Sequence, residues 1–216
     1  MMQAEKPSRG KNAMLTIYHV KPTRSLRVVW LAEELGLPYA LKHMPFDPAA
    51  LRTEEFLRIS PFGIVPAIED GGVRMTESGA ICQYLTERYG KAPFRRQLGD
   101  ADYPQYLQWL HAGEATLTPP LTSVAAHTFL RPEPRRIPLV AEEAAERFQE
   151  HAKVLDRQLG ETGYLLGADF TAVDVMVGYA LHIAKLLGLL QHAPDDVRKY
   201  FARLAERPAY QRAVAA

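Results

Sequence analysis

SPFGIVPAIEDGGVRMTES, residues 60–78, is the stretch on which the fold turns. It reads as a loop, a Val-Pro step, a short strand, an Asp-Gly-Gly turn, a second strand and a polar helix start. Pro66 heads the apolar pair Ala67-Ile68. Proline lacks an N–H and is kept out of the middle of a ladder, so it belongs at the first strand position or in a special turn. Asp70-Gly71-Gly72 is hairpin chemistry, because glycine supplies the positive φ that tight turns need. Thr76-Glu77-Ser78 then precedes Ile81, Tyr84 and Leu85 at helical spacing. A hairpin that feeds a helix start gathers unpaired backbone N–H groups, the positive end of a helix dipole and a hydroxyl in one place. Such a place suits a small carboxylate. The simpler alternative is that Thr76-Glu77-Ser78 only caps the helix.

Upstream of this stretch, 15–20 alternates well enough for a first strand, and 21–25 is a turn. Residues 26–37 form an amphipathic helix carrying Val28, Val29, Leu31, Ala32 and Leu35, stopped by Gly36 and Pro38. A second strand over 39–44 and a short helix over 53–59 follow. With the hairpin and a helix over 78–89, the pattern is β-α-β-α-β-β-α, which implies a parallel, right-handed crossover and an antiparallel edge. Strand signals stop there. Beyond a linker at 91–101 the chain reads as helix, over 103–130, 139–159, 172–187 and 195–207, with a last turn after Pro208. Pro119-Pro120 is expected to interrupt the first of these. The expected organisation is a tail at 1–13, an α/β domain at 14–90, the linker, and an all-helical domain at 102–216. Phe170-Thr171-Ala172-Val173-Asp174-Val175 reads as a capping box bracketed by an apolar staple, a structural signal.

Bulk properties narrow the function classes. The 216 residues are 47% hydrophobic and 24% charged, with a net charge of +1. That is ordinary globular composition, without the basic excess that nucleic acid or an anionic membrane would draw. No apolar run approaches the roughly 20 residues that span a bilayer. The first dozen residues are polar and basic without an apolar segment, so a frayed tail is expected rather than a secretory signal. A single cysteine gives no intrachain disulfide and no cysteine-based metal cluster, and a cytoplasmic location is expected.

Taken together, four motifs resemble those of the cytosolic glutathione transferases. They are a Ser/Thr turn before Arg-Val and Glu-Glu-Leu-Gly-Leu-Pro-Tyr, then Pro-Phe-Gly-Ile-Val-Pro-Ala-Ile, then Thr-Glu-Ser-Gly-Ala-Ile-x-x-Tyr-Leu, and the Phe-Thr-x-x-Asp box. The order and spacing are specific, and the resemblance runs from about residue 15 to the C-terminus. It implies a thioredoxin-like domain joined to a helical bundle, a homodimer, and an active site between the domains. The implied co-substrate is glutathione, with no metal, and the implied reaction is its conjugation to a small apolar electrophile. Val65-Pro66 matches the family's cis peptide, which exposes the Val65 backbone to pair with the cysteinyl part of glutathione. Ser78 and the helix N–H groups match the holders of the γ-glutamyl carboxylate, and Glu77 that of its ammonium. Ile64 departs from the pattern, because many relatives carry Lys or Gln there. The glycyl carboxylate then needs another cation, with Lys42, His43 and Arg52 as candidates.

A free thiol has a pKa of about 8.5, and the family lowers it with a hydroxyl or thiol donor. Thr23 falls on the usual serine position of the turn and ranks first, Ser25 reads as the helix N-cap before it reads as a thiol donor, and His19 falls on the position of tyrosine-type relatives, with Tyr18 beside it. These alternatives stay open on sequence alone. Peroxide reduction or isomerisation on the same site, or a binding module without activity, are the rival functions. On the second-substrate side, Tyr106, His111 and Glu114 lie on the first helix of the second domain. Glu114 stands out there as a carboxylate on an apolar stripe, which is costly unless paired or wet. Cys82 reads as a buried inert thiol, and the histidines lack ligand spacing.

Overall fold

The computed structural model describes residues 14–159 and 163–216; the expected tail at 1–13 lies outside them. Strand β1 (Leu15–His19) pairs in parallel with β2 (Tyr39–His43), and helix α1 (Ser25–Glu34) makes the crossover. Strand β3 (Ala67–Asp70) begins directly after Pro66, runs antiparallel to β1, and pairs with β4 (Val73–Thr76) across the Gly71-Gly72 turn. The sheet order is β2-β1-β3-β4. Strand parity divides the side chains of β1 between two cores. Ile17 packs with α1 and with helix α3 (Ser78–Tyr89), while Tyr18 packs with Phe56 of the short helix α2 (Glu54–Leu57).

The second half is helical: α4 (Tyr103–Ala112), α5 (Thr118–Ala125), α6 (Pro138–Gln158), α7 (Ala172–Leu186), α8 (Asp195–Ala205) and α9 (Pro208–Ala215). One expectation needs correcting. Pro119-Pro120 does not break the first helix. A widened turn at Gly113–Leu117 joins α4 to α5, and the prolines fall in the first turn of α5, directly after the widened turn, where the ladder is already out of α register. A second widened turn, Ala126–Leu130, carries the rod to its end. The Thr171–Asp174 box forms as expected and caps α7, and Asp174 also accepts from the Tyr200 hydroxyl at 2.7 Å.

Helix α1 is the seam between the halves. Residues 25–32 of it are buried throughout. Trp30 lies 4.9 Å from the Tyr210 ring and 6.0 Å from that of Phe170, centroid to centroid. Beyond it, Arg207 forks onto both oxygens of Glu34 at 2.6 and 2.7 Å. The main hydrophobic core therefore runs without a break from β1 and α1 into α7, α8 and α9.

Candidate active site

The 60–78 stretch leaves a length of backbone unpaired at its centre. Val65–Pro66 is a cis peptide. Ser60 Oγ clamps the preceding residue, donating to the Ile64 carbonyl at 2.8 Å and accepting the Ile64 N–H at 3.0 Å. Among the described residues the Val65 N–H and C=O have no hydrogen-bond partner, so both are free for an extended ligand backbone. Gly63, at φ 61°, is obligatory here, because a Cβ would come 2.7 Å from the Leu51 carbonyl oxygen. Arg52 lies against the same glycine, two residues before Val65.

At the other end of the stretch, Glu77 is exposed and holds φ 67°, ψ 104°, a conformation in which non-glycine residues are strained. The turn it makes presents the start of α3 without any side-chain cap, so the simple capping reading fails. Ser78 is buried there and accepts a hydrogen bond from Arg27 Nη1 at 2.9 Å. Arginine can only donate. The Ser78 proton is therefore left for an acceptor other than Arg27.

Arg27 is the buried charged residue of this region that the sequence reading passed over. It is fully buried on α1 and spreads its donors over Ser78, the Gly113 carbonyl (3.0 Å), Thr118 Oγ1 (2.8 Å) and the Glu114 carboxylate. Its guanidinium also stacks on the Tyr179 ring, 4.3 Å from the centroid. Burial disfavours its charge, and Glu114 opposes that effect. Glu114 is also bonded to Arg24 at 2.7 Å. The sequence signal was a charged residue inside a buried apolar helix stripe, beside Val28 and Val29.

The turn between β1 and α1 carries a chain of three side chains. His19 Nδ1 lies 2.8 Å from Ser25 Oγ, which lies 2.9 Å from Thr23 Oγ1. Thr23 Oγ1 can also reach the Val20 carbonyl at 2.7 Å. Ser25 and His19 are buried, whereas Thr23 is partly exposed. Burial, reinforced by His43 and Lys21, lowers the His19 pKa to about 4. Tyr18 points the other way, donates to Glu69 at 2.8 Å and accepts from Lys42 at 3.2 Å. Lys42 is thereby drawn to the face of the sheet away from His19.

Thr23 opens onto a cavity of about 550 Å³ whose walls include Phe46, Leu121, Phe129, Tyr179 and Ile183. Of the three residues expected on the second-substrate side, none lines it. Tyr106 is buried in the core, and His111 faces a different recess, shared with His151 on α6. The face of α4 that carries Tyr106 packs inward, and the cavity is formed one turn further on, by α5 and α7. Glu114 sits between Arg24 and Arg27, beside the cavity residues Arg24 and Tyr179. Cys82 is fully buried, and burial pushes its thiol up to about 12. Among the described residues no group of three His, Cys, Asp or Glu side chains is gathered, and no helix is long and apolar enough to cross a membrane.

A thioredoxin-like sheet with a free cis-proline edge, an uncapped helix start and an apolar cavity beside a hydroxyl turn defines a two-domain class of fold, a thioredoxin-like domain joined to a helical one. Known proteins agree. The glutathione S-transferase N-terminal domain matches residues 13–87, and the glutathione S-transferase C-terminal domain matches residues 138–204. Glutathione S-transferase 3 of Schizosaccharomyces pombe is 28% identical over 210 residues, 91% of this chain and 85% of the relative. A glutathione transferase family member from Pseudomonas fluorescens, solved with two glutathione molecules bound, superposes with a TM-score of 0.82 at 25% identity, covering 93% of this chain and 92% of that one. The glutathione transferase URE2P6 of Phanerochaete chrysosporium, in complex with oxidized glutathione, gives a TM-score of 0.83 at 26% identity, with 93% and 94% covered. The chain belongs to the cytosolic glutathione transferase superfamily.

Proposed function

We propose that this protein binds glutathione along 60–78 and conjugates its thiolate to small apolar electrophiles held in the cavity at Thr23. The observation that carries the reading is the adjacency of the Thr23 hydroxyl to that cavity. A nucleophile activated at Thr23 is delivered to a space lined mainly by apolar side chains. In this reading Val65 pairs with the cysteinyl backbone. Ser78 and the α3 N–H groups take the γ-glutamyl carboxylate, and Glu77 takes its ammonium. Arg52, lying against Gly63, is the favoured cation for the glycyl carboxylate, because Ile64 offers no donor and Lys42 is held by Tyr18.

Thr23 Oγ1 donates to the sulfur and stabilises its anionic form, with the positive end of α1 adding to the effect. A thiol pKa lowered by about 2 units corresponds to roughly 2.7 kcal/mol. The thiolate attacks the electrophilic carbon, a carbon–sulfur bond forms, and the leaving group departs with its electron pair. Where the electrophile is a conjugated alkene, a proton is taken up instead. Cytoplasmic residence and a homodimer complete the reading, and light scattering tests the dimer.

Retention on immobilised glutathione, followed by a chromogenic-electrophile assay on the eluted protein, tests the function. Retention with turnover is expected. Retention with thiol-dependent peroxide reduction but no conjugation would shift the reaction class. Neither retention nor turnover would leave a non-enzymatic module, the reading that Ile64 leaves open.

A further inference from the structure

We infer that His19 is a positioning residue, whose Nδ1–H sets the direction of the Ser25–Thr23 hydroxyl chain so that the Thr23 proton is the one left for a thiol sulfur. The inference rests on the proposed role of Thr23 and adds to it a residue two positions back along the chain of hydrogen bonds.

The argument is a count of donors and acceptors. His19 is buried and electrically neutral at neutral pH, so one ring nitrogen carries a proton and the other does not. Nδ1 faces Ser25 Oγ at 2.8 Å, whereas Nε2 is buried with no partner among the described residues. An orphaned N–H in the interior costs more than an orphaned lone pair, so the proton belongs on Nδ1. Ser25 Oγ then accepts from His19 and from the Val20 N–H (3.2 Å), which fills its two lone pairs. Its own proton must go forward, to Thr23 Oγ1 at 2.9 Å or to the Val20 carbonyl at 3.2 Å. The shorter route makes Thr23 an acceptor on its inner side. Thr23 is left with one proton, which rests on the Val20 carbonyl (2.7 Å) until a sulfur anion arrives. That carbonyl stays satisfied afterwards, because the Thr23 backbone N–H also donates to it at 3.0 Å. A hydroxyl that accepts on one side is also the stronger donor on the other. With the proton on Nε2 the direction reverses. Ser25 donates to His19, its oxygen draws the Thr23 proton inward, and the sulfur loses that donor.

Two measurements on the full chain test this. In ¹⁵N-histidine spectra of the unliganded protein, with the His19 signals identified from their absence in His19→Asn, we expect the neutral Nδ1–H tautomer; an Nε2–H tautomer overturns the inference. The second follows the thiolate absorbance of bound glutathione in wild type, His19→Asn, His19→Leu and Thr23→Val. Asn keeps an amide donor where Nδ1 stood, whereas Leu has none. His19→Leu should raise the thiol pKa by about one unit, a tenfold loss of thiolate, with the glutathione Kd unchanged within threefold, and His19→Asn should restore the wild-type value. An unchanged thiol pKa in His19→Leu overturns the role of His19 alone. An unchanged value in Thr23→Val overturns the role of Thr23 and this inference with it, and failure of wild type to bind glutathione overturns the functional reading beneath both. If His19→Leu does not fold, the tautomer decides.

Discussion

Replacing Glu114 by Gln tests whether the buried Arg27 hub depends on a single countercharge. Arg27 has no solvent exposure, and its one carboxylate partner is 32% exposed. Removing one member of a buried pair costs about 3–5 kcal/mol, because the other is left charged in a poor solvent. Two features of this site reduce that figure. Arg27 keeps Ser78, Gly113 and Thr118 as acceptors and Tyr179 beneath it, and water already screens part of the Glu114 charge. A loss of about 2 kcal/mol is expected, which for a chain of this length lowers Tm by about 4–8 °C. Urea denaturation of wild type, Glu114→Gln, Arg27→Met and the double variant isolates the coupling. With Met at 27, Glu114→Gln should cost no more than about 1 kcal/mol, the worth of the exposed Arg24 pair. Equal costs of Glu114→Gln in the two backgrounds would refute the reasoning, since they would show that Arg27 does not feel that carboxylate.

Three further outcomes are expected. Burial lowers His19 and His182 from 6.5 to about 4, so as pH falls the unfolded chain takes up these protons first. Stability is then fully present above pH 6.5 and lost between 6.5 and 4, by up to about 3 kcal/mol for each histidine; His182→Gln should remove one proton's share of that slope in denaturation midpoints taken across pH. Glu77→Gly relieves the positive-φ strain and should stabilise the protein by about 1 kcal/mol while weakening glutathione binding at least about tenfold, measured by urea denaturation and calorimetric titration; a loss of stability would count against the strain. Ala125→Phe fills part of the 550 Å³ cavity and should reduce kcat/KM for bulky electrophiles more than for small ones, with the glutathione KM little changed.

The order of elements was legible because each is signalled locally. Pro66, Gly71-Gly72 and the Thr171–Asp174 box each restrict the backbone within a few residues, and the elements they bound appear where the pattern puts them. Pro119-Pro120 misled for the same reason. The rule against proline in a helix is local, but the widened turn that relieves it is supported from α1, where Arg27 donates to the Gly113 carbonyl. The 60–78 edge was legible as a motif, down to the cis Val65–Pro66 bond. The cavity was not, since Phe46, Leu121, Phe129 and Ile183 come from distant segments and share no spacing. Tyr106 was drawn from a helical stripe that could equally have been core, and helical periodicity alone does not distinguish a wall from a core. For Glu114, the oddness of a carboxylate on an apolar face was the right signal, and its explanation lay 87 residues away at Arg27.

The position of Arg27 also bears on how the molecule comes apart. Composition divides the chain near residue 90, and each half has its own pattern. Yet Arg27 belongs to the first half by sequence and takes most of its partners, Gly113, Glu114, Thr118 and Tyr179, from the second. An excised first half would hold a guanidinium in an apolar helix face with Ser78 as its remaining partner, and Trp30 would lose the rings of Phe170 and Tyr210. The two halves are therefore expected to melt in one transition. A ligand that tightens Ser78 at one end of this linkage should raise the melting point of the distant helices as well.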